Sequence, residues 1–224
     1  MITLVIESSN PSACAPEVAL ASHDALLGVE PLRPRHPGDE SLLPAIDALA
    51  RTHAIEPRAI ARVVVSIGPG GYTSLRVAVA AAKMIALACG ATCVGVPTAI
   101  VAAVRARLDS LADRPFAVAL ASKGEEAHVS AFAPGGQLVE PGGLLTAQRL
   151  DALHVHRLFA DRFLPASFHA RAAEIGLEIA ELRLGAQACW EASRRLAPVT
   201  PADLAPLYPR PPEAVRLWQG RTGV

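Results

Sequence analysis

The 224 residues are 51% hydrophobic, enough to bury a sizeable core in one large domain or two smaller lobes. Lys plus Arg and Asp plus Glu each number 21, so the formal net charge is zero, which argues against a chain that grips RNA alone, because phosphate contacts dominate that affinity. Cys14, Cys89, Cys93 and Cys189 lack zinc-knuckle spacing, no basic leader precedes the apolar Met1–Ile6, and Lys83 interrupts the longest apolar helix, so a reduced, cytoplasmic protein without a membrane span is expected.

Ile2 to Ile6 is a run of β-branched residues and leucine and reads as a buried strand. Ser8-Ser9-Asn10-Pro11-Ser12 follows as a turn. Glu17 to Ala21 and Leu26 to Val29 have the length of two further strands, and Pro31, Pro34 and Pro37 then enforce an irregular loop. Asp39 or Ser41 can cap the next helix, with Pro44 inside its first turn. Leu42, Leu43, Ile46, Leu49 and Ala50 give that helix one apolar face. Arg62 to Ile67 holds three consecutive valines and is the clearest strand; Gly68-Pro69-Gly70-Gly71 breaks it. Thr73 or Ser74 can cap a helix reaching Cys89, which Gly90 closes. Thr92 to Val96 is the next strand, and Thr98 can cap a helix to Arg107.

The second half keeps that rhythm. Phe116 to Leu120, Ala127 to Phe132 and Gln137 to Glu140 read as strands, with Gly135-Gly136 turning between the last two. Thr146 can cap a short helix to Leu153. Val155 to Phe159 and Ile179 to Leu184 read as strands around a helix near Arg171, and Ala186 to Leu196 is helical. Ala205 to Pro212 is proline-rich and extended, either a strap or a free end. No sequence repeat links the halves, but the order of elements does. That order predicts an α/β chain of two ribonuclease-H-like lobes, residues 1–107 and 108–224.

The most informative segment is Ser66-Ile67-Gly68-Pro69-Gly70-Gly71-Tyr72-Thr73-Ser74-Leu75-Arg76, a strand joined to a helix through glycines. Backbone N–H groups and a helix dipole converge at such a turn, so an anion could sit there. The segment lacks the lysine of a P-loop, and counting G-x-G-x-x-G from Gly68 puts Thr73 where the last glycine belongs. A tight turn demanded by backbone geometry is the simpler account. No G-x-S-x-G elbow is present, and His154 and His156, on one side of a predicted strand, have no third ligand nearby in sequence. The residues nominate no catalytic group, no metal set and no cofactor.

The same segment closely resembles the G-x-G-P-G-S-F-T-G-L-R signature of the TsaB/YeaZ family. Ile2 to Ser9 resembles the family's strand ending in Asp-Thr-Ser, with Glu7 in place of Asp. Arg35-His36 and Ser41-Leu42-Leu43-Pro44-Ala45-Ile46 are similar to its His-Ser…Leu-Leu-Pro helix, and Val94-Gly95-Val96-Pro97-Thr98 to its Gly-Val-Ser/Pro-Thr strand end. Leu204-Ala205-Pro206-Leu207-Tyr208-Pro209-Arg210 resembles its closing Pro-x-Tyr-x-Arg. Ser74 replaces a glycine, Ile67 a polar residue, and Ala121-Ser122-Lys123 an Asp-Ala-Arg stretch.

The resemblance implies the fold of actin, sugar kinases and Hsp70-type chaperones. It implies a non-catalytic partner of TsaD, the relative that transfers threonylcarbamoyl to N6 of adenosine 37 in tRNA, with TsaE, an ATPase, as a further partner. It implies tRNA contact only through the complex, and possible homodimers. A small-molecule kinase or ATPase of the same fold is the alternative, although Ser8-Ser9-Asn10-Pro11 carries no glycine or lysine for phosphate. Leu75 to Ala88 is apolar almost all round. Arg76, Ala80, Lys83 and Leu87 are expected on an outward, partner-facing stripe, extended by Leu42, Ile46 and Leu49 of the preceding helix. In the family these two helices form a bundle with TsaD or with a second copy. The motif loop is Gly68, Pro69, Gly70, Gly71, Tyr72 and Thr73.

Overall fold

The computed structural model describes residues 1–9, 14–33 and 41–210. The expected turn residues Asn10, Pro11 and Ser12, the loop prolines 34 and 37, Arg35-His36, the Asp39 cap and Pro211-Pro212 lie outside them.

The first sheet contains β1 (Ile2–Glu7), β2 (Glu17–Ala21), β3 (Leu26–Pro31), β4 (Ile60–Gly68) and β5 (Thr92–Pro97), in the order β3-β2-β1-β4-β5. β1 is antiparallel to β2 and parallel to β4, which is parallel to β5. The second sheet contains β6 (Phe116–Ala121), β7 (Glu126–Phe132), β8 (Leu138–Thr146), β9 (Arg157–Ala160) and β10 (Glu178–Glu181), in the order β10-β9-β6-β7-β8. Read from its hairpin side, it repeats the first in strand order and direction. The result is an α/β fold of two similar, actin-like lobes.

Among the described residues five α-helices cover these sheets: α1 (Leu42–Thr52), α2 (Tyr72–Cys89), α3 (Thr98–Leu108), α4 (Ala166–Ile175) and α5 (Ala186–Ser193). The continuous apolar runs of β1 and β4 follow from burial on both faces. One face presents Leu4, Ile6, Val63 and Val65 to α1 and α2. The other presents Val5 and Val64 to a core shared with α3, α5 and Phe116, Val118 and Leu120 of the second sheet. The far face of that sheet is covered by Phe168 and Ala172 of α4. The layers therefore run helices, sheet, helices, sheet, helix. α5 belongs to the second half of the chain but packs on β1, β2, β4 and β5. Its first N–H, at Ala186, donates to Oε2 of Glu17 on β2 at 2.9 Å, which satisfies one otherwise orphaned helix donor.

Gly90 closes α2 in the left-handed conformation, as expected. The expected hydroxyl caps do not form. α2 starts at Tyr72 after Gly71, and α3 starts at Thr98 after Pro97. The strand-to-helix turns are so short that Thr73, Ser74 and Thr98 already lie within the first helical turn. Ser41 precedes α1 without a side-chain cap bond. Thr146 precedes two single 3-10 turns rather than a helix. β8 runs on to Thr146 because it pairs along β7 to Glu126. β9 begins only at Arg157, and His154 sits ahead of it with φ 50°, so His154 and His156 do not share a strand face.

Candidate functional site

The motif loop turns inward. Gly68 has φ +105°, and a Cβ there would lie 2.8 Å from Leu75 Cδ1 and 2.9 Å from the Leu207 carbonyl oxygen. Both facts demand glycine. The Gly68-Pro69 peptide is cis. The Gly71 N–H donates to the Ser9 carbonyl at 2.7 Å, and the Ser74 hydroxyl donates to the Gly71 carbonyl at 3.0 Å. The Gly71 donor that could have faced an anion is thus spent on the neighbouring strand end.

The segment from Val199 to Arg210 packs as a strap over this loop. Val199 and Cys93 exchange backbone bonds at 2.8 and 3.1 Å, which pairs the free edge of β5. Leu204 is buried, and the Leu207 N–H donates to the Ile67 carbonyl at 2.7 Å. Tyr208 lies 5.6 Å from the Tyr72 ring, centroid to centroid. Arg210 forms an ion pair with Glu126 of β7, so the strap ends on the second lobe.

Beneath the loop, β1 ends in Glu7, which is buried. Its Oε1 accepts the Ser9 N–H at 2.9 Å and the Ser9 hydroxyl at 2.7 Å. Its Oε2 is buried with no hydrogen-bond partner among the described residues. Burial pushes this carboxyl up to about 7. The Ser9 bonds and a weaker pull from the Ser66 hydroxyl oppose the rise, and the Glu17 charge adds to it. Among the described residues no three His, Cys, Asp or Glu side chains gather as a ligand set. This strand end can hold a proton, but it carries no cation for a phosphate.

The outer face of α2 is the opposite case. Leu75, Ala78, Val79, Ala82 and Ala86 are buried against the sheet. Thr73, Val77, Ala80, Met84 and Leu87 are exposed. Their spacing alternates four and three, the seam pattern of paired helices. Met84 and Leu87 are 66% and 64% exposed, more than a helix surface surrounded by its own fold leaves to such side chains. Arg76, Ala80 and Leu87 are exposed on this outer face. Lys83 is half-buried, and its Nζ donates to the Ala202 carbonyl of the strap at 3.2 Å. Arg76 donates to the Tyr72 hydroxyl at 2.8 Å.

Leu42, Ile46 and Leu49 require correction: all three are buried on β2 and β3 and cannot extend the surface. Periodicity marks the apolar face of α1, and the sheet has taken that face. Leu43, 54% exposed, is what α1 offers outward. Val77 and Met84 join the exposed stripe, which the four-three spacing along α2 identifies, whereas Leu43 leaves the apolar face on which periodicity puts it. α2 is also the described helix long and apolar enough to cross a membrane, yet its buried face belongs to the core.

Residues 17–156 match the family model described as TsaD: tRNA N6-adenosine threonylcarbamoyltransferase. The chain belongs to this family. Two Pseudomonas aeruginosa structures show the YeaZ branch of the fold. One is an uncharacterized protein with similarity to peptidase YEAZ: 19% identity, 93% of this chain and 99% of that one, TM-score 0.72. The other is YeaZ: 19% identity, 92% of this chain and 100% of that one, TM-score 0.72. No curated protein matches the chain in sequence. The fold of the chain is accordingly YeaZ-like.

Proposed function

We propose that the chain is a cytoplasmic, non-catalytic partner of a TsaD-like threonylcarbamoyltransferase in N6-threonylcarbamoyladenosine formation at tRNA position 37. The observation that carries this reading is the uncovered four-three stripe on α2. A helix that keeps one apolar face for its own sheet and exposes a second is built to pair with another helix. Ala80 at the centre of the stripe allows close approach. A stable complex needs on the order of 1,200–2,000 Å² of buried surface, more than one stripe supplies, and the exposed pair Tyr72 and Tyr208 at the start of α2 extends it. A second copy uses the same stripe when the partner is absent. A TsaE-like ATPase joins the assembled pair, and tRNA is reached within it.

The alternative, a small-molecule kinase or ATPase, draws on the buried Glu7 carboxyl with its free Oε2. The inward-turned loop and the lack of a neighbouring cation weigh against it. Ala80→Arg is expected to abolish co-purification with the TsaD-like partner and self-association in gel filtration. The circular dichroism spectrum and Tm should stay near wild type. Retained association, or unfolding, would remove α2 as the docking helix. Magnesium-dependent stabilisation of the isolated protein by ATP would favour the kinase reading.

A further inference from the structure

The zero net charge conceals an uneven distribution. α3 and α5 lie side by side, and their last turns, together with the first residues of β4 and the segment after β10, carry Arg62, Arg105, Arg107, Arg183, Arg194 and Arg195. Contacts tie these residues into one ridge. Arg62 Nη2 donates to the Ser193 carbonyl at 2.7 Å, next to Arg194. Arg107 pairs with Glu191 of α5 at 3.1 Å. Arg105 and Arg183 both reach Asp109, each at 3.1 Å. Arg194 lies over the Trp190 ring. Six cations thus gather about three carboxylates: Asp109, Glu191 and Glu17, which lies beside Arg105.

The carboxylates lie beneath the arginines. Asp109 is 18% exposed against 46% for Arg183, and Glu191 is 24% against 41% for Arg107. Each carboxylate steers a guanidinium outward while its own charge stays shielded. Arg194 and Arg195 are exposed, and no carboxylate pairs with either among the described residues. Outward-facing guanidinium groups held at fixed positions suit phosphodiesters, which they can bind in bidentate fashion. Arg62 and the end of α5 lie at the N-terminal ends of the first sheet's strands, whereas Arg105 lies beside Gly185 and Glu17, at the C-terminal end of β1.

We propose that this arginine ridge binds the sugar–phosphate backbone of the tRNA on which the complex acts. The assignment rests on the proposed role beside a TsaD-like subunit. The ridge adds phosphate contacts within the complex, and the chain alone binds weakly and with strong salt dependence. Fluorescence-anisotropy titration of labelled tRNA with the full-length chain at about 50 mM salt tests it. Arg194→Glu/Arg195→Glu is expected to weaken binding roughly tenfold and to flatten the slope of affinity against salt by about one to two. Arg194→Gln/Arg195→Gln should show a smaller loss in the same direction, which separates charge from any folding defect. Equal tRNA binding by wild type and both variants overturns the proposal. So does capture of the wild type by phosphatidylglycerol vesicles through these arginines with no binding to tRNA. Co-purification with the TsaD-like partner reads the underlying role separately. If neither wild type nor variant co-purifies while tRNA binding still depends on the arginines, the partnership fails and the ridge stands.

Discussion

Two regions joined in sequence behave in opposite ways. The glycine loop between β4 and α2 has turned inward: Gly71 bonds to Ser9, Gly68 packs under Leu207, and Ser9 bonds to Glu7. The helix that follows has turned outward, leaving Val77, Met84 and Leu87 uncovered on one side. In a phosphate-handling loop the free donors would face solvent and the helix behind would be covered. Here the arrangement is reversed, which fits a loop that serves stability and the proposed role of the helix in recognition. Disrupting the loop and its strap should therefore cost folding free energy, and disrupting the helix stripe should cost association alone.

The largest effect is expected at Leu204, the buried anchor of the strap against β5. Leu204→Ala should destabilise the protein by about 2–4 kcal/mol in urea unfolding, since it removes buried methyl groups and leaves a cavity. A loss below about 0.5 kcal/mol would mean that the strap is not integral to the fold. Glu7 gives the next effect. Its folded value of about 7 lies above the ordinary 4.5 because of burial, so the folded state binds the proton more tightly than the unfolded chain. Stability from this group is therefore fully present below pH 4.5 and is lost as pH rises to 7, by at most about 3 kcal/mol. Glu7→Gln keeps an acceptor for Ser9 and carries no charge. It should raise Tm at pH 8 and leave it nearly unchanged at pH 4.5. Equal Tm values for the two proteins at pH 8 would show that Glu7 is hydrated rather than sealed.

The lobed plan was legible because parallel strands buried on both faces write themselves as unbroken apolar runs, as in Val63-Val64-Val65, and because glycines such as Gly90 mark helix ends. What stayed illegible depends on partners distant in sequence. The strap joins Leu207 to Ile67 and Arg210 to Glu126, and α5 crosses to the first sheet to be capped by Glu17. No local pattern encodes these pairings. The misplacement of Leu42, Ile46 and Leu49 has the same origin: a period of 3.6 identifies an apolar face, and only the neighbouring layer decides whether that face is core. The arginine ridge has no local signature in sequence, because its members are spread from position 62 to 195 within a neutral composition.

The smallest expected change in stability belongs to the residues proposed to carry association. Met84 and Leu87 project from the side of α2 opposite Ala82 and Ala86, which face the sheet. Met84→Ser/Leu87→Ser removes apolar surface that is already in contact with water, so unfolding free energy should change by less than about 0.5 kcal/mol. Helix propensity alone accounts for about a few tenths of a kcal/mol of that change at the two serine positions. Yet burial of both side chains against a partner helix would contribute about 1.5–3 kcal/mol each, so losing them should weaken the complex by at least tenfold. Isothermal titration with the TsaD-like partner reads the second quantity and urea unfolding the first. The contrast between loop and helix holds if affinity falls while stability stays. It breaks if stability falls by 2 kcal/mol or more, because that outcome would place Met84 and Leu87 in a core that the fold itself completes.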